Sequence, residues 1–119
     1  MTASSRSALV VEDNMIIAME AEELLRELGF ADCHVCGSVR SAFDIMGDHA
    51  INFALLDIDL GHETSEEIAT RLQARGTPFI FVSGYDEFPE LASELARVPV
   101  VSKPYTSSDI AAAIARLGL

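Results

Sequence analysis

Positions 53 to 57 read Phe-Ala-Leu-Leu-Asp, four apolar residues followed by a carboxylate. A short, unbroken apolar run is typical of a strand buried on both faces of a parallel sheet. Asp57 is therefore expected at the point where such a strand reaches solvent. Sites in open α/β sheets form at this carboxyl edge, which makes Asp57 the first candidate functional residue.

Three further apolar runs also end in residues that carry chemistry. They are Leu9-Val10-Val11 before Glu12-Asp13, Pro78-Phe79-Ile80-Phe81-Val82 before Ser83-Gly84, and Val98-Pro99-Val100-Val101-Ser102 before Lys103. Carboxylates are the ligands that Mg²⁺ prefers, and Lys103, the only lysine, supplies a compact positive donor. The set can hold a divalent cation beside a phosphorylated aspartate.

Apolar runs and amphipathic stretches alternate along the whole chain. Strands are predicted at 7–12, 34–37, 53–57, 79–83 and 100–102, and helices at 14–28, 38–47, 65–75, from about 89, and from 106 to the C-terminus. This β-α unit repeated five times predicts a single α/β domain over residues 1–119, with a parallel sheet and helices on both faces.

The charge and hydropathy of the chain exclude several functions. The formal net charge is −11, whereas nucleic-acid binding and attachment to anionic membranes need a basic surface. No apolar stretch approaches the roughly 20 residues of a membrane span, and the N-terminus lacks the apolar core of a signal peptide. A cytoplasmic protein is expected.

The two cysteines form the sequence Cys33-His34-Val35-Cys36, a spacing that also occurs in redox and zinc sites. Here the segment is predicted to be a strand, on which residues three apart point to opposite faces. Two cysteines packed in the core are the better interpretation.

The ends of the apolar runs resemble the receiver domain of bacterial two-component response regulators. The motifs that carry the resemblance are Val10-Val11-Glu12-Asp13-Asn14, Leu55-Leu56-Asp57, Phe81-Val82-Ser83-Gly84 and Val101-Ser102-Lys103-Pro104. It implies a flavodoxin-like (βα)5 fold with strand order 2-1-3-4-5. Residues 78–85 further resemble an alphaproteobacterial single-domain subset with a Pro-Phe-x-Phe-Ala-Thr-Gly-Tyr-like motif, although Val82 and Ser83 replace its Ala-Thr.

The resemblance also implies a role for each matching residue. Asp57 would be the phosphoacceptor, and a histidine kinase or histidine phosphotransferase the donor. The implied set is Glu12, Asp13, Asp57 and the backbone carbonyl of Asp59 for Mg²⁺, and Ser83, Gly84 and Lys103 for the phosphoryl group, with a cis Lys103-Pro104 bond. Such a chain is not an enzyme in the usual sense; it is expected to be a monomer or weak dimer that signals to a protein target or passes the phosphoryl group on.

Three positions depart from the usual receiver pattern. Val100 stands where receivers carry a switch Tyr or Phe, Gly61 replaces a proline and is expected to loosen its loop, and the helix after the fourth strand starts late, near Pro89. We therefore expect the switch in Tyr85 and the loop that follows it.

Two alternatives use the same residues. Asp57-Ile58-Asp59 matches the D-x-D opening of haloacid-dehalogenase-like phosphatases, which also form an aspartyl-phosphate; against this, Glu12-Asp13 comes first in the chain rather than last. A degenerate receiver that acts only as a binding module is disfavoured by the complete set of acids, serine and lysine. The chain is expected to be a stand-alone protein, although it could be one domain of a longer regulator.

The first helix is predicted to dock the phosphodonor. Ile17, Ala21, Leu24, Leu25 and Leu28 recur at helical spacing and are expected to face the sheet. The residues predicted to face outward, next to the mouth of the site, are Met15, Ala18, Met19 and Glu22.

Overall fold

The computed structural model describes residues 6–84, 95 and 97–118. Its elements are β1 (Ser7–Val11), α1 (Met15–Glu27), β2 (Asp32–Cys36), α2 (Val39–Asp48), β3 (Phe53–Asp57), α3 (Glu66–Arg75), β4 (Phe79–Ser83), β5 (Val100–Ser102) and α4 (Ser107–Arg116). The helix expected near Pro89 falls outside the described residues. Among the helices that are described, none combines the length and the apolar character needed to cross a bilayer.

The five strands form one parallel sheet in the order β2-β1-β3-β4-β5, which confirms the predicted fold and strand order. The central strands β3 and β4 are buried at every residue, as their unbroken apolar runs predict. The order reverses direction at β1, so the edge between β1 and β3 is the topological switch point at which ligands bind in such sheets.

Helices cover both faces of the sheet and create two hydrophobic cores. One core packs residues of α2 and α3, such as Met46 and Ile68, against the sheet, and the other packs residues of α1 and α4, such as Leu25 and Ile110. Cys36 belongs to the first core and Cys33 packs against the second. Both thiols are free, and burial raises the pKa of each, so the interpretation as core residues holds.

Short polar signals fix where the helices begin and end. The side chains of Asn14 and Ser38 accept hydrogen bonds from backbone N–H groups in the first turns of α1 and α2, and Thr106 forms a capping box with Asp109 at α4. Gly76 ends α3 with φ of 74°, a left-handed conformation that glycine adopts without a Cβ clash. These ends match the predicted ones to within one or two residues.

The face of α1 that packs on the sheet includes one residue more than predicted. Ala18 was expected to face outward, but it is 0% exposed and lies in the core between α1 and the sheet. The exposed apolar residues are instead Met15, Ile16 and Met19, at 64%, 71% and 61% exposure. The prediction was wrong at Ala18, where a small residue packs against the sheet beside Ala21, which was correctly expected there.

Substitution of Ala18 tests this packing. Ala18→Arg is expected to lower the free energy of unfolding by about 3 kcal/mol or more, because it forces volume and an unpaired charge into a filled core. The matched variant Met19→Arg places the same side chain on the exposed face and is expected to change stability by about 0.5 kcal/mol at most. Urea unfolding of both variants measures the difference. Similar midpoints for the two would contradict the placement of Ala18.

Candidate functional site

The register of the sheet brings the predicted strand ends to one edge. Asp57 pairs with Val82, and Ser83 pairs with Ser102 on the next strand. The backbone N–H of Lys103 then donates to the carbonyl of Ser83 at 2.9 Å. Strand pairing thus continues one residue beyond β5 and fixes the backbone of Lys103 beside the end of β4.

A buried ionic cluster occupies this edge. Nζ of Lys103 donates to Oδ2 of Asp57 at 2.9 Å and lies 2.7 Å from Oε1 of Glu12. Asp57 and Glu12 are almost fully buried, since only 3% of the surface of Asp57 and 2% of that of Glu12 is exposed. Their other oxygens accept backbone N–H groups: Oε2 of Glu12 from Asn14 at 3.0 Å, and Oδ1 of Asp57 from Asp59 at 3.3 Å. One ammonium group therefore bridges two acids that the fold holds side by side.

Burial and neighbouring charges shift the pKa values of all three groups. Burial, together with the adjacent Glu12, raises the pKa of Asp57 from 3.8 to about 7, although the contact with Lys103 opposes the rise. Burial also acts to raise the pKa of Glu12, but Lys103 and the N–H of Asn14 outweigh it and hold that pKa below its usual value. Burial acts to lower the pKa of Lys103, and its two carboxylate partners raise it instead. Lys103 is thus a permanent cation, and Asp57 is the group that titrates near neutral pH.

Asp13 completes an acidic cluster that fits a divalent cation. Carboxylate oxygens of Glu12, Asp13 and Asp57 all lie within 4.8 Å of one another. Asp13 is exposed, so the cluster opens to solvent on its side. Three carboxylates against one ammonium leave an excess of negative charge, and an all-oxygen donor set suits Mg²⁺ rather than a softer metal.

The loop after β3 is closed by its own hydrogen bonds rather than loosened by Gly61. The N–H of Gly61 donates to Oδ1 of Asp59 at 2.9 Å, and the N–H of Leu60 donates to the carbonyl of Glu63 at 2.9 Å. Gly61 has φ of 91°, which proline cannot adopt, and a Cβ there would lie 3.5 Å from Oδ2 of Asp13. Glycine therefore allows the loop to turn close beside the acidic cluster.

Comparison with known proteins agrees with this geometry. Residues 8–115 match the family model of the response regulator receiver domain. The chain belongs to this family. As a receiver domain it is a signalling module of two-component systems, and the match favours neither the phosphatase alternative nor a classical enzyme.

Individual relatives support the same assignment. The receiver domain is 30% identical to the sensory transduction protein LytT of Bacillus subtilis over 86% of the chain, and 25% identical to the transcriptional regulatory protein PdtaR of Mycobacterium tuberculosis over 92%. It spans about half of these relatives, 44% and 55% of their lengths. The solution structure of SdrG from Sphingomonas melonis is similar over the full length of both chains, with a TM-score of 0.79 and 30% identity.

The structure brings most of the predicted site residues together. Glu12, Asp57 and Lys103 are in direct contact, Asp13 borders them, and Ser83 lies buried at the end of the neighbouring strand. The Lys103-Pro104 bond is cis. The functional roles of these residues stay predictions, and so does the role of the Asp59 backbone carbonyl as a metal ligand. Tyr85, the expected switch residue, lies outside the described residues.

Sequence reasoning missed a cavity next to the ionic cluster. It measures about 350 Å³ and lies between α1 and the chain that follows β5. Its lining residues are Ile17, Glu20, Gly84, Lys103, Pro104 and Tyr105. Burial raises the pKa of Tyr105 to about 12, and the charge of Glu12 adds to the effect, so the phenol stays protonated. An aromatic residue directly after the Lys-Pro pair was the signal that could have indicated this wall.

The raised pKa of Asp57 predicts how stability depends on pH. In the folded protein Asp57 holds its proton up to about pH 7, whereas in the unfolded chain it loses it near its ordinary pKa of about 4. The stabilisation is therefore fully present below about pH 4 and is lost as the pH rises towards 7, with a slope of at most about 1.4 kcal/mol per pH unit. Asp57→Asn removes this titration, so its stability advantage over wild type is expected to widen across that range.

Urea unfolding between pH 5 and 8 in the presence of a chelator measures this advantage. Asp44→Asn, which changes an exposed aspartate of α2, is the control and is expected to show a constant difference from wild type. A constant difference for Asp57→Asn as well would contradict the assignment of the titrating group.

Proposed function

We propose that Asp57 of this receiver domain accepts a phosphoryl group from a histidine kinase or histidine phosphotransferase. The observation that carries the proposal is the contact of a buried strand-end carboxylate, Asp57, with the single lysine, Lys103, inside a cluster of acids. A carboxylate in such a position is a competent nucleophile, and the surrounding charges are placed to hold a phosphoryl group.

The transfer forms one bond and breaks one bond. An oxygen of Asp57 attacks phosphorus, the bond from phosphorus to the donor imidazole nitrogen breaks, and the nitrogen keeps the electron pair. Asp57 must be unprotonated to attack, so its proton is released first; a pKa near 7 makes this release easy at neutral pH. Lys103 then exchanges its contact with the carboxylate for one with a phosphoryl oxygen, and Ser83 and Gly84 hold the remaining oxygens.

The acidic cluster would hold Mg²⁺ through Glu12, Asp13 and Asp57, with the backbone carbonyl of Asp59. When bound, the ion neutralises charge on the phosphoryl oxygens and lowers the pKa of Asp57. Glu12 remains anchored by Asn14 and Lys103, so it also keeps Lys103 at the site as the phosphoryl group arrives.

The output is a changed protein surface or onward phosphotransfer. Nucleic-acid or membrane contact through this acidic domain is not part of the proposal. The expected oligomeric state, a monomer or weak dimer, and the cytoplasmic location stay predictions.

Phosphorylation of Asp57 is tested with acetyl phosphate as the donor. Wild type is expected to become labelled, and Asp57→Asn is expected to lose all labelling because an amide is not a nucleophile here. Asp44→Asn is the matched control and should label normally. Labelling of Asp57→Asn would refute the assignment, and rapid hydrolysis of p-nitrophenyl phosphate by wild type would favour the phosphatase alternative.

Magnesium binding is tested by thermal unfolding. A millimolar site gives about 1.4 kcal/mol of stabilisation at tenfold excess over the dissociation constant, which raises Tm by several degrees. Asp13→Ala removes one ligand from the exposed side of the cluster and is expected to lose most of this rise. Sodium chloride at matched ionic strength is the control for screening. Equal magnesium shifts in wild type and Asp13→Ala would contradict the proposed ligand set.

A further inference from the structure

The chain between β3 and α3, residues 58–65, folds back on itself, and we call it the β3–α3 loop. The N–H of Ser65 donates to the carbonyl of Ile58 at 3.1 Å, and Asp59 pairs with Thr64 in an antiparallel bridge. These backbone bonds join neighbouring parts of the loop. They therefore set its shape without fixing where the loop lies relative to α2.

The side chain of Glu63 connects the β3–α3 loop to α2. Its Oε2 accepts a hydrogen bond at 2.9 Å from the N–H of Val39, the first residue of α2. The N-cap Ser38 accepts from the N–H of Ser41 instead, and the N–H of Val39 is one of the groups that a helix leaves without an internal partner. A carboxylate also suits the positive end of a helix. Glu63 therefore completes the cap of α2 from a segment 24 residues away along the chain.

The two segments that this bond joins both lie against the acidic pair at the end of β1. A Cβ on Gly37, just before α2, would lie 3.4 Å from the carbonyl oxygen of Glu12 and 3.5 Å from Cα of Asp13. A Cβ on Gly61, in the β3–α3 loop, would lie 3.5 Å from Oδ2 of Asp13. One segment thus approaches the backbone of Asp13 and the other approaches its carboxylate. The bond from Glu63 closes the ring of contacts around this proposed metal ligand.

The position of the β3–α3 loop matters for the metal and for the phosphoacceptor. The N–H of Asp59 donates to Oδ1 of Asp57 at 3.3 Å, and the carbonyl of Asp59 is a proposed ligand of Mg²⁺. Because Mg²⁺ demands near-octahedral geometry, a small displacement of a ligand weakens its binding. A residue that holds the loop in place therefore acts on both groups through Asp59.

We propose that Glu63 is a positioning residue of the phosphoacceptor site. Its bond to α2 holds the β3–α3 loop where the carbonyl of Asp59 meets the metal, and bound Mg²⁺ in turn strengthens the bond between Glu63 and Val39. The two effects are equal in size, because coupling between two binding events is reciprocal. The inference rests on the proposed function and adds a residue and a helix, α2, that respond to the state of the site.

Two simpler roles for Glu63 predict different results. If Glu63 only caps α2, its loss lowers stability and leaves the affinity for Mg²⁺ unchanged. If it acts only as one more negative charge near the metal, the length of its side chain does not matter. Glu63 is exposed to solvent, where salt screens such a charge, so the structure favours a role for the bond over one for the charge.

Two conservative variants separate the reach of the side chain from its charge. Glu63→Asp keeps the charge and shortens the side chain by one methylene, whereas Glu63→Gln keeps the length and an acceptor oxygen but removes the charge. Titration with Mg²⁺ at constant ionic strength, followed by backbone amide NMR, is expected to show about threefold weaker binding for Glu63→Asp, the size of a lost capping contact. Glu63→Gln is expected to bind like wild type. Glu67→Asp, which shortens an exposed acid in the first turn of α3, is the matched control and should also bind like wild type.

Exchange of the Val39 amide with water reports the coupling without any measure of activity. Mg²⁺ is expected to slow this exchange about threefold in wild type and in Glu63→Gln, and to have no effect in Glu63→Asp. The amide of Asp109, which Thr106 caps on α4 at the other face of the sheet, is the internal control. A change of overall stability moves both amides, whereas the coupling moves only that of Val39.

Three results would overturn the inference. They are equal magnesium affinity of wild type and Glu63→Asp, equal weakening by Glu63→Asp and Glu67→Asp, and a Glu63→Gln variant that binds as weakly as Glu63→Asp. Labelling of Asp57 by acetyl phosphate tests the proposed function separately. Magnesium-dependent labelling of wild type with the same half-saturating concentration as Glu63→Asp would keep the proposed function and remove the role of Glu63. Wild type without magnesium-dependent labelling would overturn both.

Discussion

The site is governed by the burial of two carboxylates, Glu12 and Asp57, around one ammonium group, Lys103. Two buried negative charges side by side repel each other, and one lysine compensates for only one of them. Lys103 and the backbone N–H of Asn14 together hold the pKa of Glu12 below its usual value. Burial and the neighbouring charge of Glu12 then raise the pKa of Asp57 to about 7. The same imbalance leaves an excess of negative charge that a cation would compensate, and it makes Asp57 titrate near neutral pH rather than near its ordinary pKa.

The fold connects this chemistry to a surface that another protein can reach. Strand register sets Asp57, Ser83 and Lys103 at one edge, and α1 begins directly after the acidic pair, with Asn14 as its cap. The exposed apolar residues Met15, Ile16 and Met19 of α1 therefore follow the acidic pair by only a few residues of the chain. Glu20 lies both in the surface depression of α1 and in the lining of the cavity beside Lys103, so the outer face of α1 is continuous with the edge that carries the ionic cluster.

The sequence predicted the parts of the structure that depend on backbone pattern and missed those that depend on side-chain packing. Unbroken apolar runs located β3, β4 and β5 because each run is short and ends in a polar residue. The placement of Ala18 on the outer face of α1 was wrong, because a pattern read from the large apolar residues does not show that a small alanine also packs against the sheet. The hydrogen-bonded turn at Gly61 has no periodic signal because it depends on local contacts such as that of the Asp59 side chain. The wall formed by Tyr105 has none because it arises where the chain after β5 meets α1.

Direct mapping of the phosphorylated residue tests the central claim most sharply. Wild type is treated with acetyl phosphate and Mg²⁺, the acyl phosphate is reduced with borohydride to homoserine, and the site is located by peptide mass spectrometry. The account predicts homoserine at position 57 alone, and none when the metal is chelated. Homoserine at Asp13 or Asp59, or at position 57 regardless of metal, would contradict the proposed use of the buried cluster.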